Sequence, residues 1–256
     1  MENMINMQMD HDSVVGANSI IDKVDTGIEG FDKLLDGGFP SGRAYLVSGE
    51  PGTGKTIFSL QYLLQGAKKG EKTIYISIDE KPEHVIMDAR SLGWDIDSYL
   101  KQGLLQIIDV TSYFSTSKQE GLVGVQVDRV VDDILGYVRQ SGATRLAIDP
   151  IAPLIFSEKD FPNVVEYIRK LIFAIEDNTG CTTLLTSYVP VGSDKVSSVG
   201  IEEFVASGII VLKLVKADNK RIRTIGVRKM RGTRIDLTEY SFEILPSRGV
   251  VLRQPI

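Results

Sequence analysis

The stretch Gly49–Thr56, "GEPGTGKT", satisfies G-x-x-x-x-G-K-[ST] and follows the apolar run Ala44–Ser48. A strand entering such a loop, with a helix leaving it, is the setting in which the pattern cradles phosphate. Its glycines let successive backbone N–H groups curl around an anion, and the helix start adds positive potential. In that setting Lys55 reaches the β- and γ-phosphates of a nucleoside triphosphate, and the Thr56 hydroxyl ligates Mg2+. The nucleotide-binding residues expected here are Gly49, Glu50, Pro51, Gly52, Thr53, Gly54, Lys55 and Thr56. A chain carrying this loop must build the layered strand–helix core that holds it.

The rest of the sequence supplies that core. "TIFSLQYLLQGAKKG" places Ile57, Leu60, Leu64 and Ala67 at helical spacing, with Gly70 as a stop. "TIYISI" (73–78), "LLQIIDV" (104–110), "RLAID" (145–149) and "CTTLLTSYV" (181–189) read as strands. Helices are predicted from Pro82 to Gly93, over about 125–140, and over 162–178. The strands are apolar throughout rather than alternating, which predicts a mostly parallel central sheet with helices on both faces. After residue 207, "GIIVLKLV", "RIRTIGVRK", "SFEIL" and "VVLR" are joined by polar turns and predict an antiparallel, β-rich C-terminal extension. The fold class is α/β. Residues 1–20 read as a flexible tail and 21–256 as one ATPase domain.

Two further acidic positions belong with the loop. Asp149 ends the buried strand "RLAID" and suits the acid that holds Mg2+ in P-loop proteins. Asp79 and Glu80 end the strand "TIYISI", read as lying beside the phosphate-loop strand. Either carboxylate could orient the attacking water, and either could instead serve the dipole of the helix opened by Pro82. Spacing alone does not separate those roles. Thr186 and Ser187 end the strand after that of Asp149.

Charge is segregated. The net charge is −5, yet Lys213–Arg234 holds nine Lys/Arg against the single acid Asp218. The overall balance argues against indiscriminate binding to nucleic acid or anionic membrane. The one cysteine, Cys181, excludes an intrachain disulfide, which fits a reducing cytoplasm. The N-terminal "MENMINMQMDHDSVVGANSI" lacks the apolar core of a signal peptide, and no run approaches the roughly 20 apolar residues of a membrane span. A soluble, cytoplasmic chain is expected. His84 reads as a surface or capping residue, and Trp94 as packing against the nucleotide-side helix.

"TGIEGFDKLLDGGFPSGRAYLVSGEPGTGKT", "ARSLGWD", "GIEEFVASGIIVL" and "RKMRGTR" resemble an ATPase domain of the KaiC family, related to the RecA/RadA recombinases. The resemblance runs from about Val24 to Leu252 and covers one domain where KaiC has two in tandem, as in the single-domain KaiC-like proteins common in archaea. It implies a RecA-like core, a homo-oligomeric and often hexameric ring, ATP bound between subunits, and paired catalytic acids at Asp79 and Glu80. The family has two glutamates there. The shorter Asp79 implies slow turnover. Lys229, Arg231, Gly232 and Thr233 match the family's K-x-R-G-T stretch, which reaches the neighbouring subunit's nucleotide, so Lys229, Arg231 and Thr233 are expected to act in trans. Ser91 matches a position near adenine, although "SLG" also suits simple helix punctuation. Arg228 and Arg234 have no such assignment and read as a solvated face. Glu203 and Phe204 stand where one KaiC domain phosphorylates itself, which speaks against autokinase activity.

RecA-like rings bind single-stranded DNA through two channel loops, matched here by 152–162 and 189–203. Together these carry two cations, Lys159 and Lys195, against five acids, the wrong sign for a phosphate backbone. An ATP-hydrolysing ring that changes shape and protein partner with its nucleotide is the favoured expectation. A DNA-repair accessory ATPase of RadA-paralogue type and a nearly non-hydrolysing ATP-switched binding module are the alternatives.

Overall fold

In the computed structural model, residues 21–110, 127–152, 161–193, 195–197, 200 and 202–256 are described. The expected N-terminal tail and most of the first channel loop, with Lys159, lie outside these residues.

The chain enters through the short strand β1 (Lys23–Val24), a 3-10 turn (Asp32–Leu35) and β2 (Phe39–Pro40), which pairs antiparallel with β1. Then come β3 (Ala44–Gly49), α1 (Lys55–Lys68), β4 (Thr73–Ser77), α2 (Pro82–Ser91), α3 (Ile96–Lys101) and β5 (Leu105–Asp109). They are followed by α4 (Val127–Ser141), β6 (Arg145–Asp149), α5 (Phe161–Thr179), β7 (Thr182–Tyr188) and the short helix α6 (Glu202–Val205). The chain ends in β8 (Gly208–Ala217), β9 (Lys220–Met230), β10 (Tyr240–Leu245) and β11 (Gly249–Pro255). The strands from β3 onward form one nine-stranded sheet in the order β11-β10-β9-β8-β3-β7-β6-β4-β5.

Strands β5, β4, β6, β7, β3 and β8 run parallel, and β9, β10 and β11 continue antiparallel. The C-terminal extension therefore begins with a strand that joins the parallel core. Alternate side chains feed two cores. Leu46, Ile74, Ile76, Leu146, Ile148 and Leu185 face α4 and α5, while Tyr45, Val47, Tyr75, Ala147 and Leu184 face α1 and α2. Burial on both faces explains the unbroken apolar strands. Helix α1 is itself buried on most sides, from Phe58 through Leu64, so it forms the centre of its layer.

One expectation about position is overturned. Strand β4, which carries the acid pair, does not lie beside β3: β7 and β6 stand between them. The β3–α1–β4 crossover skips two places that later strands fill. The acid pair is instead next to Asp149, since Ser77 pairs with Asp149 across β4 and β6. No helix among the described residues is long and apolar enough to cross a membrane.

Candidate nucleotide-binding site

Strand β3 delivers the chain into the loop 49–56 at its C-terminal end. Gly52 and Gly54 take positive φ values of 81° and 102°, which a residue with a side chain rarely adopts. At Gly54 a Cβ would also meet the Ile244 side chain at 2.8 Å. Thr53 closes the turn by donating from its hydroxyl to the Glu50 carbonyl at 2.8 Å. The Lys55 ammonium donates to the Gly49 and Glu50 carbonyls at 2.8 and 3.0 Å, folded back over the loop. Burial lowers its pKa, and the charge of Asp149 works against that shift.

Thr56, the second residue of α1, donates to Asp149 Oδ2 at 2.7 Å. The Tyr75 hydroxyl donates to the same oxygen, and Thr186 donates to Oδ1. A hydroxyl and a carboxylate together form a hard oxygen pair of the kind that holds Mg2+ jointly with substrate phosphates and water. Among the described residues no three His, Cys, Asp or Glu side chains converge on a metal cage.

The acid pair follows directly, for Ile78 N donates to the Asp149 carbonyl at 3.1 Å. Both carboxyls are held above the usual range. For Asp79 the causes are burial and then the Asp149 charge; for Glu80 they are burial, Asp88 and Asp149, opposed by His84. Ser77 donates to the Glu80 carbonyl at 2.5 Å and fixes the turn that presents the pair. His84 lies exposed on α2 with its ring 3.9 Å from the Glu80 carboxylate.

Lys55, Thr56, Asp149, Asp79 and Glu80 thus assemble at one end of the sheet. Lys229, Arg231 and Thr233 do not join them. Met230 pairs with Gly208, which pairs with Tyr45 near the start of β3, whereas the loop begins at Gly49. Four residues of strand, about 13 Å, separate the two levels. Lys229 donates to the Glu203 and Ala206 carbonyls at 2.9 and 2.8 Å, and its pKa is lowered by burial and then by Arg231. Thr233 accepts from Lys23 at 2.6 Å and donates to the Leu35 carbonyl at 3.2 Å. Arg231, Arg228 and Arg234 are exposed.

Ser91 also lies apart, at the far end of α2, donating to the Asp88 carbonyl at 2.7 Å as a helix-punctuating serine does. That helix end docks on the β10–β11 turn, where Ser247 N donates to the Leu92 carbonyl. Trp94 packs with the α1 layer as expected, beside Gln61.

Two residues at the site were not visible in local sequence pattern. Arg223 reaches from β9 to donate to the Gly52 carbonyl at 3.2 Å. It lines a cleft of about 790 Å3 together with Arg221, Phe242, Ile244 and Leu245. The other residue is Tyr75, hidden in a strand that reads as uniformly apolar. The only hint of Arg223 is its place in the cationic run.

A sheet that hangs a phosphate loop from its middle strand, and turns a carboxylate toward it from two strands away, defines a P-loop ATPase of the RecA superfamily. The family described as "ATPase: KaiC" matches residues 24–255, and the chain belongs to that family. It is 33% identical to circadian clock protein KaiC3 of Synechocystis over 91% of this chain and 46% of that protein. It is likewise 33% identical to a UPF0273 protein of Aeropyrum pernix, over 91% of this chain and 94% of that one. The chain therefore spans about half the length of the clock protein and nearly all of the archaeal one. A solved KaiC-like protein of Pyrococcus horikoshii OT3 superimposes with a TM-score of 0.79 at 34% identity, covering 91% of this chain and all of that one.

Proposed function

We propose that the protein is a Mg2+-dependent, slowly hydrolysing ATPase whose active site is completed by a neighbouring copy in a ring, hexameric on the family pattern. On this reading its nucleotide state sets the shape of the assembly and its choice of protein partner, within the reducing cytoplasm. The observation that carries it is the separation of two half-sites along one sheet. The phosphate loop follows Gly49, while Arg231 leaves β9 at the level of the other end of β3. That distance along the sheet favours a site that two chains share.

In the mechanism this implies, backbone N–H groups of the loop receive the phosphates, and Lys55 exchanges its two carbonyl partners for phosphate oxygens. Thr56 and Asp149 are the residues that would hold Mg2+, which neutralises developing phosphate charge when bound. Glu80 and Asp79 orient and deprotonate the attacking water. Arg231 of the adjacent copy stabilises the transferring phosphoryl group, and Lys229 braces the strand end that carries it. The cleft along Arg223 and Ile244 abuts the loop and suits the nucleoside.

Glu80→Gln is expected to cut turnover by roughly 10²–10⁴ with ATP still bound. Asp79→Glu, which restores the missing methylene, is expected to raise it. A single-turnover assay on these two variants and on Asp79→Asn checks the division of labour, and equal losses in Glu80→Gln and Asp79→Asn would mean the pair acts as a unit.

Steady-state hydrolysis with Mg2+, with and without single-stranded DNA, tests the function as a whole. Slow turnover indifferent to DNA is the expected result. The exposed cations Lys216, Lys220 and Arg221 on the β8–β9 hairpin favour the accessory-repair reading, and clear stimulation by DNA would establish it in place of this one.

A further inference from the structure

We propose that Tyr75 is a positioning residue for the metal-binding carboxylate, and that its hydroxyl sets how tightly the site holds Mg2+. The inference rests on the reading of Thr56 and Asp149 as the metal pair.

Tyr75 lies mid-strand in β4 and is 1% exposed, within the apolar core under α1. A phenylalanine would fill that space. A buried hydroxyl is a liability there unless it finds a partner, and the partner it finds is Asp149 Oδ2. The route is set by register. Tyr75 pairs with Ala147, and Asp149 is two residues further along β6 on the same face. The small Ala147 side chain leaves the tyrosine ring a diagonal path to the carboxylate.

Three hydroxyls converge on Asp149: Thr186 on Oδ1, and Thr56 and Tyr75 on Oδ2. A hydroxyl has one donor and two lone pairs, so Thr56 could give a lone pair to a metal while its O–H stays on Oδ2. Tyr75 reaches that same oxygen from within the core, and Thr186 holds Oδ1. Held at both oxygens, the carboxylate resists turning about its last bond and keeps its orientation toward the position a metal would take. Hydrogen bonds that orient a ligating carboxylate typically contribute 10- to 100-fold in metal affinity.

Tyr75→Phe in the full chain is the test, because it deletes one oxygen and keeps the ring. Binding of a fluorescent, non-hydrolysable ATP analogue is measured in EDTA and across a Mg2+ titration, alongside thermal unfolding without nucleotide. Half-saturating Mg2+ is expected to rise by roughly ten-fold, with affinity in EDTA unchanged. Mn2+, less demanding of geometry, should narrow the gap. An unchanged Mg2+ midpoint overturns the proposal. So does an equal loss of affinity in EDTA, which would place Tyr75 in the shaping of the phosphate loop. If the unaltered protein binds the analogue with no Mg2+ dependence, the reading of the site fails and the proposal falls with it, an outcome distinct from the other two.

Discussion

Arg231→Ala is expected to lower ATP turnover by about 10³-fold or more while nucleotide binding is retained. That loss corresponds to roughly 4 kcal/mol of transition-state stabilisation. The prediction follows from position. Arg231 is exposed just past the end of β9, and its backbone carbonyl is gripped by Arg43 at 3.2 Å, so its place is fixed although it lies far from its own chain's phosphate loop. The decisive version mixes two inactive proteins. Lys55→Ala lacks a working loop but keeps Arg231; Arg231→Ala has the reverse defect. If the arginine acts across an interface, random co-assembly restores roughly one site in four. If it acts within its own chain, the mixture stays inactive. Arg228→Ala, at an exposed position within β9, should have little effect and serves as the control.

The largest expected loss of stability comes from Arg145→Met. Arg145 opens β6 and is 1% exposed, yet it carries a full charge. Its guanidinium donates to both Glu71 oxygens at 2.7 and 2.8 Å, to the Asp25 carboxylate at 3.2 Å, and to the Asp25 and Tyr62 carbonyls. It also lies 4.8 Å from the centre of the Tyr62 ring. Removing one member of a buried pair costs about 3–5 kcal/mol. Both carboxylates retain some contact with solvent, 28% and 29% exposed, so a loss of about 2–4 kcal/mol is expected here. That predicts a thermal midpoint lower by roughly 5–12 °C.

The pH dependence identifies the cause. Hydrogen bonds from Arg145 hold Glu71 below the usual carboxylate value, outweighing its burial. Burial pushes Asp25 up, but hydrogen bonds from Lys69, Gln65 and Arg145 bring it to a net lowering. Depressed carboxylates contribute stability above their unfolded-state values and lose it as acid protonates them. The difference between the two proteins should therefore be full near neutrality. It should shrink as pH falls past the ordinary values of 4.5 and 3.8. A gap constant across that range would mean that packing, not charge, is responsible.

Much of this architecture could be read from the chain. The loop at Gly49–Thr56, the strand of Asp149 and the helices over α1, α4 and α5 declare themselves through spacing and periodicity that local sequence contains. Strand order does not. Nothing in "TIYISIDE" says that β7 and β6 will intervene before β3, because order is decided by which crossovers leave room for strands formed later. The contacts that finish the site are equally non-local. Tyr75 and Asp149 are 74 residues apart, and Arg223 and Gly52 are 171 apart. The Arg145 cluster joins residues 120 apart, and its strand "RLAID" gives the arginine only as an ordinary flanking cation. The trans role proposed for the K-x-R-G-T stretch rests on resemblance and on its distance along the sheet from the phosphate loop.

Strand β3 is the fifth of nine, with four neighbours on either side, while β4 has only β5 between it and the edge. Protection from hydrogen exchange should follow that order. Amides of β3 and β7 should open only with the whole molecule, whereas β5, and β4 with it, should open in smaller excursions. On the proposed reading of the site, the part that grips phosphate would hang from the central strand and the acid pair would sit one strand from the edge. Breathing at that edge should then interrupt hydrolysis without releasing the nucleotide, which would let the protein idle while still loaded.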